Sequence, residues 1–325
     1  MKRRNFGFSI TLASALLVAW GCAMGPAATG NFDRTLSVSG PIRIELNGAS
    51  GDVSITGSGS GKVHIHAEVR ASGFGFDSPE KRVNEIVNNP PIEQHGEVIR
   101  IGQDIRHFRN VSISYVIEAP RDTEISSDVL SGSQSIRNVR GPLKVESASG
   151  SIDVDHIEKQ TQLSTLSGSI LASDINDDLR ANSASGSVVA SNIKGDVRIS
   201  ALSGSTQIKK PGGRVEASSA SGTVDVEGAN KDVRAHAASG EVKVEGDPGS
   251  NSYWDLKTTS GLVQLGVPKN ANFHLAADAV SGAIKADIPI VIEEQGRHSL
   301  RARVGNGGGR VEVHTISGEI RVRAS

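Results

Sequence analysis

The chain is 325 residues long, with 35 basic against 36 acidic side chains, a net charge of −1, 3 % aromatic residues, 37 glycines and one cysteine. That length fits one large domain or two ordinary ones. The balanced charge excludes the basic excess of a nucleic-acid binder, and the lone cysteine excludes an internal disulfide.

The first element in chain order is a targeting segment. Lys2, Arg3 and Arg4 form a basic n-region, "FGFSITLASALLVAW" supplies a short apolar stretch, and "GC" follows. The stretch is too short to span a bilayer comfortably. Residues 1–21 therefore read as a signal peptide, whose loss removes three positive charges and no acids and takes the net charge from −1 to −4. Cys22 stands where bacterial lipoproteins carry their lipidated thiol. "VAWGC" departs from the usual lipobox at Ala19 and Trp20, and the alternative is ordinary cleavage after Ala23 or Ala28. The expectation is an exported, lipid-anchored envelope protein, in the outer membrane if the host has one, because Ala23 and not Asp follows the cysteine. Residues 22–34 read as a flexible tether and 35–325 as one β domain.

Within that domain, "NGASGDVSITG" around Gly51 is an early copy of a motif that recurs later. Residues 71–110 interrupt it as an N-terminal insertion. In "DSPEKRVNEIVNNPP", Asp77 or Ser78 is the N-cap, Pro79 the first helical residue, and Val83, Ile86 and Val87 lie at helical spacing. One short helix should end before Pro90-Pro91, with a hairpin-like "GEVIRIGQDI" after it. The insertion is placed to cap the N-terminal end of the domain and block end-to-end strand pairing.

From residue 128 to the end the chain is repetitive. Ser-Gly pairs place glycines at 132, 150, 168, 186, 204, 222 and 240, every step being 18. Gly261 and Gly282 follow at steps of 21, and Gly318 lies 36 further on, read as two turns. A fixed short period over this length marks a solenoid. Leu143 and Val145, Val197 and Ile199, and Val311 and Val313 stand seven and five residues before a glycine; Ile152 and Val154, Val188 and Ala190, and Ile320 and Val322 stand two and four after one. Period-two spacing on both sides of a corner means two short strands with one buried face. One such turn cannot offset its own ordering entropy, and only stacking gives it a core. The fold class is therefore all-β: a single-stranded parallel β-solenoid of 18-residue turns, roughly 50 Å long at about 4.8 Å per turn, plus one helix.

Each Ser-Gly then stacks on the last. Glycine supplies positive φ at the corner. The serine before it is expected to point into a tight corner, its hydroxyl donating to one neighbour and accepting from another. The structural ladder so predicted is Ser149-Gly150, Ser167-Gly168, Ser185-Gly186, Ser203-Gly204, Ser221-Gly222 and Ser239-Gly240. No fixed His or Lys accompanies these serines, so they are not nucleophiles. The opposite corner ("DHIEKQ", "SDINDD", "SNIKGD", "KKPGGR") is ordinary turn chemistry without common character, and Gly195 there should tolerate a side chain better than Gly186.

These segments resemble a known family. "GPIRIELNGASGDVSITG", "KVHIHAEV", "VSISYVIEAP", the tandem S-x-S-G turns and the closing "VGNGGGRVEVHTISGEIRV" are similar to the "putative adhesin" family of bacterial envelope proteins over residues 35–325. That resemblance implies a β-solenoid domain of unknown function at the cell envelope, without known catalysis; a fold does not fix a function.

Other candidates remain. His64, His66 and Glu68 alternate on one outward strand face, where a row could hold a metal, but surface histidines are common and no metal is expected. Asp177, Asp178 and Asp196 share a corner, as acids do in polysaccharide-cleaving solenoids, yet no aromatic platform accompanies them; they read as solvated turn residues. Two residues before the glycines runs the column Leu130, Ala148, Leu166, Ala184, Leu202, Ala220, Ala238, Thr259, Val280 and Ile316. Strict alternation would face it outward, as a binding stripe; a bulge at the corner would instead turn it inward as packing, which the alternation of large and small members favours. Trp254 fills a core column on the longer turns, beside Tyr253 and Phe273. "GNGGGR" lacks the final glycine of a dinucleotide loop and precedes a strand.

Two functions from different classes follow. The first is a non-enzymatic, adhesin-like or structural envelope rod that needs no cofactor, binds no nucleic acid, and meets a membrane through its lipid and a surface polymer or envelope protein through its body. The second is a carbohydrate-active solenoid lyase or hydrolase. The few aromatics favour the first. A scaffold polymerising end to end is a further alternative, since "GEIRVRAS" would leave a bare last strand.

Overall fold

The computed structural model describes residues 27–73, 77–103 and 109–325. Cys22 and the signal segment lie outside the described residues.

The regular body follows the 18-residue period. Its strands come in pairs, one before each glycine corner and one after it: β8 (Glu124–Ser131) and β9 (Gln134–Val139), β10 (Leu143–Ser149) and β11 (Ile152–Ile157), β12 (Thr161–Ser167) and β13 (Ile170–Ile175), β14 (Leu179–Ser185) and β15 (Val188–Ile193), β16 (Val197–Ser203) and β17 (Thr206–Lys209), β18 (Val215–Ser221) and β19 (Val224–Ala229), β20 (Val233–Ser239) and β21 (Val242–Gly246). Before the corner, β10 pairs in parallel with β8 and β12; after it, β11 pairs with β9 and β13. The register is the sequence period itself: Val145 faces Leu163, and Leu163 faces Ala181. Inward residues of both stacks, such as Val145, Leu163, Ile199, Ile152 and Val188, are buried in one continuous core. Because that core is only one side chain deep from each strand, small aliphatics suffice and aromatics are scarce.

The N-terminal strands β1 (Ala27–Ser37), β2 (Arg43–Ser50), β3 (Val53–Ser58), β4 (Lys62–Ser72), β5 (Ile92–His95), β6 (Val98–Ile101) and β7 (Val111–Pro120), with helix α1 (Pro79–Asn88), build the cap. β2 lies between β6 and β8, and β3 between β7 and β9. The early copy around Gly51 is thus clasped by β6 of the insertion and by β7, which follows it. β4 runs antiparallel to β7, and β1 antiparallel to β4. β1 takes in residues 27–34, which the sequence places in the tether; the hydrogen bonds of β4's free edge recruit them. Ser78 caps α1, accepting from the Lys81 amide at 3.2 Å, with Pro79 in the first turn. Val83 and Ile86 are buried, and Gly30 of β1 leaves Val83 its space: a Cβ there would come within 2.6 Å of Val83 Cγ1.

The C-terminal end departs from the sequence reading. β22 (Tyr253–Val267), β23 (Phe273–Ser281), β24 (Ile284–Asp287), β25 (Val291–Gln295), β26 (Ser299–Val304) and β27 (Gly309–Ala324) follow. β27 pairs in parallel with β22 on one side and with β23 and β24 on the other. The turn containing Gly318 is therefore inserted between those of Gly261 and Gly282, and "GEIRVRAS" is an interior strand. The 36-residue gap before Gly318 holds the β25–β26 hairpin, whose β26 pairs antiparallel with β23, in place of a further turn.

At the corners Gly132 to Gly240 have φ between +119° and +150°. Each amide donates to the serine carbonyl of the next turn, as Gly150 does to Ser167 at 3.0 Å. A Cβ on Gly186 would sit 2.0 Å from the Gly168 carbonyl oxygen. Gly195 is no more tolerant of contact: a Cβ there meets the Asp177 carbonyl carbon at 2.5 Å. The opposite corner differs in residue type and stacks just as closely.

Candidate functional site

The glycine corner carries the most distinctive surface. Approaching it, each strand alternates faithfully, so the residue three before the glycine is buried (Ser147, Thr165, Ser183, Ala201, Ser219) and the residue two before it points out. Leu130, Leu166, Leu202, Ile316 and Val280 are 54, 63, 62, 55 and 71 % exposed. The expected inward packing of this column is corrected: the residue three before the glycine already occupies the core site, and the chain turns before another can enter. The ladder resumes at Ser149 opposite Ser167, skipping Ala148 and Leu166.

The serines beside the glycines are in register but exposed. Turn-to-turn hydroxyl contacts among the described residues lie elsewhere, at Ser187–Ser205 (3.1 Å) and Ser200–Ser218 (3.3 Å). The tight part of the corner belongs to the glycine, and the serine before it lies exposed. At this corner the buried hydroxyls are those three before the glycine. Thr165 and Thr258 donate to the Gly150 and Gly240 carbonyls at 3.5 and 3.3 Å, while the hydroxyls of Ser147, Ser183, Ser219 and Thr315 have no partner.

Two shallow grooves flank the exposed column. One, of about 630 Å³, runs past Glu146, Ser164, Leu166, Asn182, Ala184 and Leu202. The other, of about 480 Å³, runs past His236, Lys257, Thr259, Val280, His314 and Ile316. Beside the second, the Asp255 side chain is 7 % exposed and meets Lys257 Nζ at 2.9 Å and His236 Nε2 at 3.2 Å. Burial alone would raise its pKa; the hydrogen bond and charge of Lys257, then those of His236, hold it below the ordinary 3.8. A depressed folded-state pKa gives stability that is present above the unfolded value and lost as pH falls through the folded one. Wild type should therefore lose stability more steeply than Asp255→Asn below about pH 4, which thermal unfolding across that range measures; parallel curves would remove Asp255 from the acid response.

Trp254 is fully buried with its indole N–H on the Lys231 carbonyl at 2.7 Å, and Phe273 is buried as well. Tyr253 is half-exposed and donates to Glu312 at 2.5 Å, which with partial burial raises its phenol to about 12.

The opposite corner shows a regularity that its residue types concealed. Asn138, His156, Asp174, Asn192 and Lys210, spaced by 18, all have φ between +50° and +59°, and Gly228 follows at +79°. Asn, Asp and Gly adopt this region most readily, so the recurrence of such types in one column was the available signal. Asp155, His156 and Asp174 place one donor atom each within 4.8 Å of one another. They are already partnered: His156 Nδ1 to Asp155 at 2.7 Å, Ser173 to Asp155 at 2.6 Å, Asn192 to Asp174 at 3.1 Å. The Asp155 hydrogen bond and charge raise the His156 pKa. The row at His64, His66 and Glu68 does not converge: its members engage Thr35, Asp33 and Arg70 separately. The acidic corner is structural, for Asp178 accepts the amide of Asp196 at 2.8 Å and Asp196 that of Arg214 at 2.9 Å. Each carboxylate ties its turn to the next.

Residues 176–323 match the family described as Toastrack DUF4097, a domain of unknown function. No curated protein matches the chain. Among solved structures, a "putative cell adhesion protein" from Clostridium sporogenes is 11 % identical over 92 % of this chain and 100 % of that one, with a TM-score of 0.23. A "putative adhesin" from Bacteroides fragilis is 10 % identical over 91 % and 97 %, with a TM-score of 0.30.

Proposed function

We propose, from the premise that residues 176–323 form a Toastrack DUF4097 domain, that the protein is a non-enzymatic, adhesin-like rod of the cell envelope, held to a membrane through a lipid on Cys22. The observation that supports this is the ridge of exposed aliphatics along the glycine corner, Leu130 to Val280. The ridge gathers five of the ten large hydrophobics exposed among the described residues into one column, and an exposed apolar stripe marks an interaction surface. Catalysis needs one convergent set of groups. The acids at Asp178 and Asp196 instead accept backbone amides, and repeated columns offer many similar contacts that gain strength from the length of the rod.

Binding of purified peptidoglycan fragments, polyuronates and common polysaccharides should fall for Leu166→Asp or Val280→Asp and persist for Asp178→Asn and Asp196→Asn. Turnover of any of these polymers that vanishes in an Asp variant would make the protein an enzyme. Mass spectrometry of the mature N-terminal peptide tests the anchor: a lipid-bearing Cys22 is expected, and an unmodified terminus after Ala23 or Ala28 removes it.

A further inference from the structure

We propose that the N-terminal half of the ridge, Leu130 to Ala220, is an interface at which two copies of this chain pair antiparallel. The inference rests on the ridge being an interaction surface and names its partner. Over this stretch the ridge reads Leu130, Ala148, Leu166, Ala184, Leu202, Ala220, one residue per turn. The leucines stand more than half exposed. Turns lie about 4.8 Å apart, so a leucine recurs roughly every 9.6 Å with an alanine gap between.

A line of alternating knobs and gaps fits a copy of itself displaced by one turn. A two-fold axis at right angles to the rod, crossing the ridge between Leu166 and Ala184, achieves this at every position. Leu166 then meets Ala184 of the second copy, Leu202 meets Ala148, and Leu130 meets Ala220, each contact occurring twice, as an isologous interface requires. A closed parallel pair, about a two-fold along the rod, allows no such displacement and would oppose leucine to leucine and alanine to alanine, leaving voids between the leucines.

The flanks agree with the same axis, which sets each flank against its own counterpart in reverse order. On one side Asp128 meets Ser218, Glu146 meets Ser200, and Ser164 meets Asn182. The flank holds two acids, yet no acid opposes another. On the other side stand only exposed serines, Ser131 to Ser221, small enough to let the ridges close. Beyond Ala220 the alternation fails: in stack order come Ala238, Thr259, Ile316 and Val280, so that end of the ridge stays free for another partner. The contact is narrow, at the low end of specific interfaces, and gains only from copies held at high density on opposed surfaces. Antiparallel pairing puts the two N-termini at opposite ends, which suits chains held on two facing surfaces.

Sedimentation velocity of residues 27–325, which contain the whole buried core, tests the pairing between roughly 1 and 200 µM, the range where so narrow an interface should act. A monomer–dimer equilibrium is expected. Leu166→Ala and Ala184→Leu should each raise the dimer Kd about ten-fold or more, one by removing two knobs and the other by filling two gaps. The double variant exchanges knob and gap, so its Kd should return to within about three-fold of wild type. A monomer at every concentration, or a double variant weaker than both singles, overturns the proposal. If the chain is monomeric but Leu166→Asp still weakens polymer binding, the pairing falls and the ridge reading stands. If neither Leu166→Asp nor Val280→Asp changes polymer binding or self-association, the ridge reading falls with it.

Discussion

Gly186→Val is expected to lower the unfolding free energy by about 4 kcal/mol or more. Two effects add. At φ +133° a β-branched residue is strained whatever its surroundings. Its Cβ would also lie 2.0 Å from the Gly168 carbonyl oxygen, which is backbone and belongs to the neighbouring turn. That oxygen cannot retreat without disturbing a corner that has the same problem with Gly150. The proper control is Gly61→Ala, where nothing lies within 4 Å of the added carbon; it should change stability by less than about 0.5 kcal/mol. Urea denaturation of both variants compares them, and equal midpoints would mean that the glycine stack does not constrain the rod.

Removing residues 309–325 should do far more than shorten the rod by one turn. β27 pairs with β22 from Tyr253 to Val267 and on its other face with β23 and β24. Its loss strips partners from both and uncovers Val263, Leu265 and Leu275, which are buried in the intact chain. The truncated protein should lose its cooperative transition at the C-terminal end. Trp254, which pairs with Val311 and is the only tryptophan of residues 27–325, reports it directly. Its emission should shift toward that of an exposed indole in native buffer. An unshifted emission with an unchanged urea midpoint would show that β22 and β23 close on each other without β27.

The period of 18, the two strands per turn and the buried columns were legible because each turn repeats one local pattern, and repetition averages out single ambiguous residues. The helix was legible because Ser78, Pro79 and the Val83–Ile86 spacing agree. The exposed ridge followed from simple alternation; the appeal to a bulge misplaced it, since large-and-small stacking suits an outward column as well as an inward one. The exposure of Ser149 and its equivalents breaks the period-two alternation that buries Val145 and Ser147, so that pattern could not foretell it. Stack order was hidden for a different reason. Gly318 keeps the motif of its neighbours, and nothing in a local motif says which turn it will lie against; only the unequal gap before it hinted that the chain goes elsewhere first.

Linear repeat proteins open from their ends, because a terminal turn has one neighbour and frays at little cost. Here the first and last Ser-Gly turns of the chain are not the terminal turns of the stack. The first Ser-Gly turn is held beneath a segment that comes after it in the chain, and the last lies inside one that comes before. Opening either turn therefore means withdrawing a strand from between two others. Both clasps join residues far apart in sequence, which slows their formation and equally slows their release. The rod should resist proteases and mechanical load as a locked unit would.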